Sequence, residues 1–119
     1  MGRLTTHVLD TAHGCPGAGI RVRLYSESAN EGRLLLVGEG VTNADGRCAE
    51  PLLSGERMKK GVHQLAFEVG AYFRAKGVAS PDPAFLETVR ISFGIADADA
   101  HYHVPLLVSP YGYSTYRGS

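Results

Sequence analysis

The stretch His101-Tyr102-His103-Val104-Pro105-Leu106-Leu107-Val108 decides how this chain reads. Tyr102, Val104, Leu106 and Val108 recur every second residue, the spacing that places side chains on one face of a strand. That row is apolar and belongs to a core, which turns His101, His103, Pro105 and Leu107 to the opposite face. Imidazoles on the outward face, beside an outward leucine, predict a surface that a neighbouring subunit later covers. Pro105 cannot donate to a ladder, so it is expected at a sheet edge or a bulge.

The same period recurs upstream. Val89, Ile91, Phe93 and Ile95 alternate with Thr88, Arg90, Ser92 and Gly94; His63, Leu65, Phe67 and Val69 alternate with Gln64, Ala66 and Glu68. Ile20, Val22 and Leu24 alternate with Arg21, Arg23 and Tyr25. In the first apolar run, Leu4 to Leu9, His7 points away from Leu4, Thr6 and Val8 and shares its face with Thr5 and Leu9. A further run from Arg33 to Thr42 leads into Asn43-Ala44-Asp45-Gly46, whose Asp-Gly pair signals a tight turn. Residues 11–17 and 80–83 read as loops, and residues 50–53 as a short strand. Residues 70–77 read as the one helix, stopped by Gly77. With 15 glycines and 6 prolines punctuating short apolar runs, the chain is expected to be all-β. The layout expected is a Greek-key sandwich with one short helix, a single domain over residues 1–119.

Bulk properties remove several function classes. Of 119 residues, 44% are hydrophobic and 20% charged, with 12 basic against 12 acidic residues and a formal net charge of zero. That balance offers no electrostatic case for nucleic acid or an anionic membrane as partner, and it eases self-association. No apolar run reaches the length of a bilayer span. The N-terminus lacks the basic and then apolar pattern of a secretory signal, so the cytoplasm is the expected compartment. Met1-Gly2-Arg3-Leu4-Thr5-Thr6 matches a loose myristoylation template, but a strand begins at once, and the template is set aside. Cys15 and Cys48 lack the paired spacing of a metal or redox motif and read as free thiols.

The chemistry on offer is concentrated in His7, His101, His103, Arg47 and the tail. A neutral imidazole works as a general base near physiological pH. His-x-His on one strand face with a third histidine also resembles a three-histidine zinc site, although no carboxylate is evident to support such ligands. His13 and His63 read as solvated or hydrogen-bonded structural histidines. Arg47, at the mouth of the turn, is either an exposed turn residue or a guanidinium suited to a developing oxyanion. Tyr116, Arg117 and Ser119 carry hydrogen-bonding groups at the end of the sequence. Neither a nucleophile elbow nor a phosphate-binding glycine loop occurs. With no activated nucleophile in evidence, direct attack by water is the natural reaction class for an enzyme built this way.

Three segments carry a resemblance. Leu4-Thr5-Thr6-His7-Val8-Leu9-Asp10-Thr11, Thr42-Asn43-Ala44-Asp45-Gly46-Arg47 and Tyr116-Arg117-Gly118-Ser119 together resemble the 5-hydroxyisourate hydrolase family of transthyretin-related proteins, over the full chain. The resemblance implies a transthyretin-like sandwich of two four-stranded sheets and a homotetramer built as a dimer of dimers, with active sites where dimers meet. It implies hydrolysis of 5-hydroxyisourate to 2-oxo-4-hydroxy-4-carboxy-5-ureidoimidazoline in urate breakdown, with no metal and no organic cofactor. It further implies that His7, Arg47 and His103 are catalytic. Tyr116, Arg117, Gly118 and Ser119 would bind substrate, the tail reaching in from a neighbouring subunit, with His101 in support. The alternative on the same fold is a transthyretin-type carrier of a small ligand, without catalysis.

Overall fold

Two sheets share one apolar core in the computed structural model, which describes residues 1–27 and 32–119. In chain order the elements are β1 (Arg3–Asp10), β2 (Cys15–Pro16), β3 (Arg21–Glu27), β4 (Leu34–Val41), β5 (Leu53–Ser54), β6 (Gly61–Glu68), α1 (Val69–Ala75), β7 (Thr88–Ile95), β8 (His101–Ser109) and β9 (Gly112–Thr115). A 3-10 turn spans Gly55–Arg57, between β5 and β6. One sheet runs β2-β1-β8-β9 with β5 also on β1, and the other runs β4-β3-β6-β7. Two-residue strands β2 and β5 therefore widen the first sheet beyond the four strands expected. The expected Greek-key sandwich with one short helix is what the chain forms.

The core follows from the alternation. Leu4 and Val8 of β1, Val22 and Leu24 of β3, Leu65 and Phe67 of β6, and Leu106 and Val108 of β8 are fully buried. Each such side chain contributes about 1.5–3 kcal/mol relative to exposure. The helix begins one residue before the expected glycine and ends as foreseen: Gly77, at φ 81°, donates to the Arg74 carbonyl at 3.0 Å, and Val78 donates to that of Phe73. No helix among the described residues is long and apolar enough to cross a membrane.

Two expectations need correction. Pro105 is not at an edge: β8 lies between β1 and β9, and Pro105 is buried within it. The missing donor is accommodated on the β9 side. Pairing runs from Ser109↔Gly112 to Leu106↔Thr115, lapses opposite Pro105, and resumes in the same register as the His103↔Gly118 bridge. The Thr115 hydroxyl donates to the Pro105 carbonyl at 2.7 Å across that gap. The second correction is β9 itself, a strand absent from the sequence reading because Ser114 and Gly112 break its apolar period.

Asp10, at the inner end of β1, is fully buried. Its Oδ1 accepts the backbone N–H groups of Ala12 and His13, both at 3.0 Å. Its Oδ2 accepts from the Tyr72 hydroxyl at 2.7 Å and from Nδ1 of His13 at 2.6 Å. Burial pushes this carboxyl up, but hydrogen bonds from Tyr72 and His13 outweigh it and hold the group below its ordinary value. Burial first, and then the hydrogen bond to Asp10 and its charge, push the Tyr72 phenol well up. Asp10 thereby ties α1 to the first sheet.

Candidate active site

Parallel pairing of β1 with β8 places Thr5 beside His103 and His7 beside Pro105, all on the outer face of the first sheet. A cross-strand side-chain link there is the 2.8 Å hydrogen bond between the Thr5 hydroxyl and Nδ1 of His103. A carbonyl fixes the second imidazole: Nε2 of His7 donates to the Asp45 oxygen at 2.9 Å.

Arg47 reaches β1 because the 43–47 turn docks on it. Asn43 Oδ1 accepts from the backbone N–H of Asp45 at 2.9 Å and of Arg47 at 3.2 Å, the usual turn chemistry of an asparagine. Gly46 takes φ 76°, and its carbonyl accepts the Val8 N–H at 2.8 Å. A Cβ on Gly46 would meet the Val8 oxygen at 2.4 Å. The outcome is a bridge between His7 and Arg47. Behind the turn, the buried Thr42 hydroxyl donates to the Gly17 carbonyl at 2.6 Å and accepts from Ile20 N–H at 2.9 Å.

The tail is drawn to the same face by resumed register. Gly118 N–H donates to the His103 carbonyl at 2.7 Å, and a Cβ there would lie 2.6 Å from Cδ2 of the imidazole. Only glycine lets the tail pass under that ring. Ser119 then joins Arg3, Thr5, Thr6, Arg47, Cys48, His101 and His103 around an open cleft of about 420 Å³. Arg117 faces the other way, as alternation requires: its guanidinium stacks 4.1 Å from the Tyr102 ring and donates to the His101 carbonyl at 3.0 Å.

Electrostatics favour a neutral His103. Burial lowers its affinity for a proton, and the nearby charges of Arg47 and then His7 lower it further. Cys48, on the cleft wall, has its thiol pushed up by burial and stays protonated. Among the described residues no group of three or more His, Cys, Asp or Glu side chains is placed to hold a metal ion.

Of the residues singled out in the sequence, Arg47, His101, His103 and Ser119 line the cleft, His7 flanks it through Arg47, and Gly118 lies against His103. Tyr116 and Arg117 line a second cavity of about 260 Å³ with Ile91, Phe93 and Tyr102. Within one chain the imidazoles, the guanidinium and the end of the tail lie around the same cleft. Thr5 and Arg3 were missed as site residues. Their signal was present: both share the outward face of β1 with His7.

A sequence profile of the HIUase/Transthyretin family matches residues 4–118. The chain belongs to that family. Among its members, a protein of Pseudomonas aeruginosa named 5-hydroxyisourate hydrolase is 60% identical over 119 residues, covering 100% of this chain and 93% of its own. One of Ralstonia nicotianae with the same name is 57% identical, covering all of both chains. The solved structure of Klebsiella pneumoniae 5-hydroxyisourate hydrolase superimposes with a TM-score of 0.80 at 37% identity, over 100% of both chains. Transthyretin from Sparus aurata superimposes with a TM-score of 0.86 at 26% identity, over 98% of this chain and 96% of its own.

Proposed function

We propose that this family member hydrolyses 5-hydroxyisourate, and that the cleft between β1, β8 and the 43–47 turn is where it does so. The observation that carries the reading is the meeting of His103, Arg47 and Ser119 around one cleft with His7 alongside. Full-length relatives at 57–60% identity that bear the hydrolase name support it. Titratable and permanently charged walls suit a polar heterocycle undergoing hydrolysis better than carriage of an apolar ligand.

In the scheme we favour, water attacks a ring amide carbonyl of the substrate. Neutral His103 takes the proton from that water as the new C–O bond forms, and His7 orients the water. The Arg47 guanidinium neutralises the charge growing on the carbonyl oxygen. The C–N bond then breaks, His103 returns the proton to the departing nitrogen, and the ring opens to 2-oxo-4-hydroxy-4-carboxy-5-ureidoimidazoline. No covalent enzyme intermediate and no organic cofactor enters. Ser119 and His101 hold the ring in place, and Tyr116, Arg117 and Gly118 hold the tail. The cleft is open on its outer side, and we infer that further copies close it in a homotetramer, a dimer of dimers, working in the cytoplasm.

The test is the decay of 5-hydroxyisourate, freshly generated from urate and followed by absorbance against the spontaneous rate. The protein should accelerate it, and His103→Ala or His7→Ala should lower turnover by roughly 10²–10⁴-fold, the contribution of general acid–base catalysis. Turnover should survive dialysis against a chelator. Loss in chelator with recovery on Zn²⁺ addition, or full activity in both histidine variants, overturns the scheme.

A further inference from the structure

We propose that Thr5 is a positioning residue for His103: its hydroxyl accepts the Nδ1 proton and so keeps Nε2 as the nitrogen with the free lone pair. The proposal rests on the reading of His103 as the base, and deepens it.

The two side chains are directly opposed in the parallel register of β1 and β8, and the 2.8 Å contact joins residues 98 apart in sequence. Such a contact exists only when the sheet is correctly paired. Among the described residues Nε2 of His103 has no partner, so the ring is held at one nitrogen and open at the other.

A threonine hydroxyl both donates and accepts, and by itself leaves two arrangements open. The surroundings choose between them. Arg47 shares the cleft wall with His103, and a guanidinium favours a lone pair, not an N–H, on the ring nitrogen left open to that cleft. The proton therefore belongs on Nδ1, against Thr5. His7 differs: a carbonyl can only accept, so its proton is fixed on Nε2. The two imidazoles then carry opposite tautomers, Nε2 free on His103 and Nδ1 free on His7.

The choice of a neutral partner matters. A carboxylate in the place of Thr5 would also orient the ring, but its charge would stabilise the imidazolium and make His103 titrate higher. A hydroxyl orients without adding charge, which leaves the base unprotonated at neutral pH.

The experiment compares Thr5→Val, Thr5→Ser and Thr5→Asp in the intact protein. Ring nitrogen NMR shifts report the His103 tautomer without substrate, and turnover is measured alongside. In the parent and in Thr5→Ser, above the titration of His103, Nε2 should give the shift of an unprotonated ring nitrogen. In Thr5→Val nothing holds the ring against turning over, so either nitrogen can face Arg47 and the two should average; kcat should fall roughly tenfold, the size of one neutral hydrogen bond, with KM little changed. Thr5→Asp should raise the pH at which His103 titrates. Nε2 protonated in the neutral parent, or a Thr5→Val protein with unchanged shifts and turnover, overturns the proposal. Shifts that average in Thr5→Val while His103→Ala remains fully active would separate the cases: the hydrogen bond stands, and the base role, with the positioning built on it, falls.

Discussion

Nε2 of His7 donates to the carbonyl oxygen of Asp45 at 2.9 Å, so this imidazole is held by the turn that delivers Arg47. Two groups from distant parts of the sequence thus depend on one five-residue turn. That turn depends on Gly46, whose φ of 76° lies in the left-handed region, and on the side-chain oxygen of Asn43.

Gly46→Ala should therefore damage stability and activity together. Its Cβ would press against the Val8 oxygen in a backbone conformation that costs an alanine of order 1–3 kcal/mol. Thermal unfolding should start earlier, and turnover per folded molecule should fall because Arg47 and His7 both shift. Asn43→Ala should act in the same direction, by about 1 kcal/mol through the lost turn bonds. Normal turnover in a destabilised Gly46→Ala protein would detach the turn from the chemistry.

The pH dependence follows from His103. Burial first, then Arg47 and His7, lower its pKa below the ordinary histidine value of about 6.5. The neutral form therefore persists to lower pH than in a free imidazole, and the acid limb of kcat/KM should lie below about pH 6.5. Folding stability carries the same sign. The favourable contribution is complete above about pH 6.5 and is lost as pH falls through the folded value, since the unfolded chain binds the proton first. In Arg47→Gln the NMR titration of His103 should move up towards the ordinary value. A titration unmoved by that substitution would mean the guanidinium charge does not reach the ring.

Gly118→Ala isolates the tail. The added methyl carbon would stand 2.6 Å from Cδ2 of His103, so either the ring rotates away from Thr5 or the tail lifts and Ser119 leaves the cleft. Either response should cost at least tenfold in turnover, the effect of misplacing one catalytic group, while the unfolding temperature changes by a few degrees at most. Wild-type turnover in this variant would show that the tail can be displaced without consequence.

The fold was legible where one physical cause acted alone. Strict alternation identified β7, β8 and the outward face of β1, and Gly77 marked the end of α1. Pro105 misled because a missing donor says nothing about which neighbour loses the bond; the answer lay in the register of β9, a strand with no clean apolar period. For the site, face assignment sufficed to put His7, His101 and His103 outward, and the Asp45-Gly46 pair located the turn beneath Arg47. Thr5 was not distinguished, because a threonine on a strand face is ordinary until its cross-strand partner is known. Arg117 was grouped with the tail, although alternation about Gly118 sends it to the Tyr102 ring.

Asp10 shows how far stability and chemistry are separated within β1. It lies on the inner face, fully buried, with its partners supplied by the 12–13 loop and by Tyr72 of α1. Burial opposes its ionisation, and the Tyr72 and His13 bonds more than offset that, leaving its pKa below the ordinary carboxylate value. A carboxyl depressed in the folded state stabilises above about pH 3.9, and the contribution is lost as pH falls through the folded value. Asp10→Asn keeps the shape but loses the charge and offers an N–H where Tyr72 and His13 also donate. It should lower stability at pH 7 by about 2–3 kcal/mol. The gap to the parent should narrow as acid protonates Asp10 in the parent too. Turnover per folded molecule at 25 °C should stay near normal, since the outer face of β1 is untouched. Denaturant unfolding at pH 7 and pH 3 measures the first part, and the absorbance assay the second; an equal loss at both pH values would mean the ionised carboxylate is not what the fold uses.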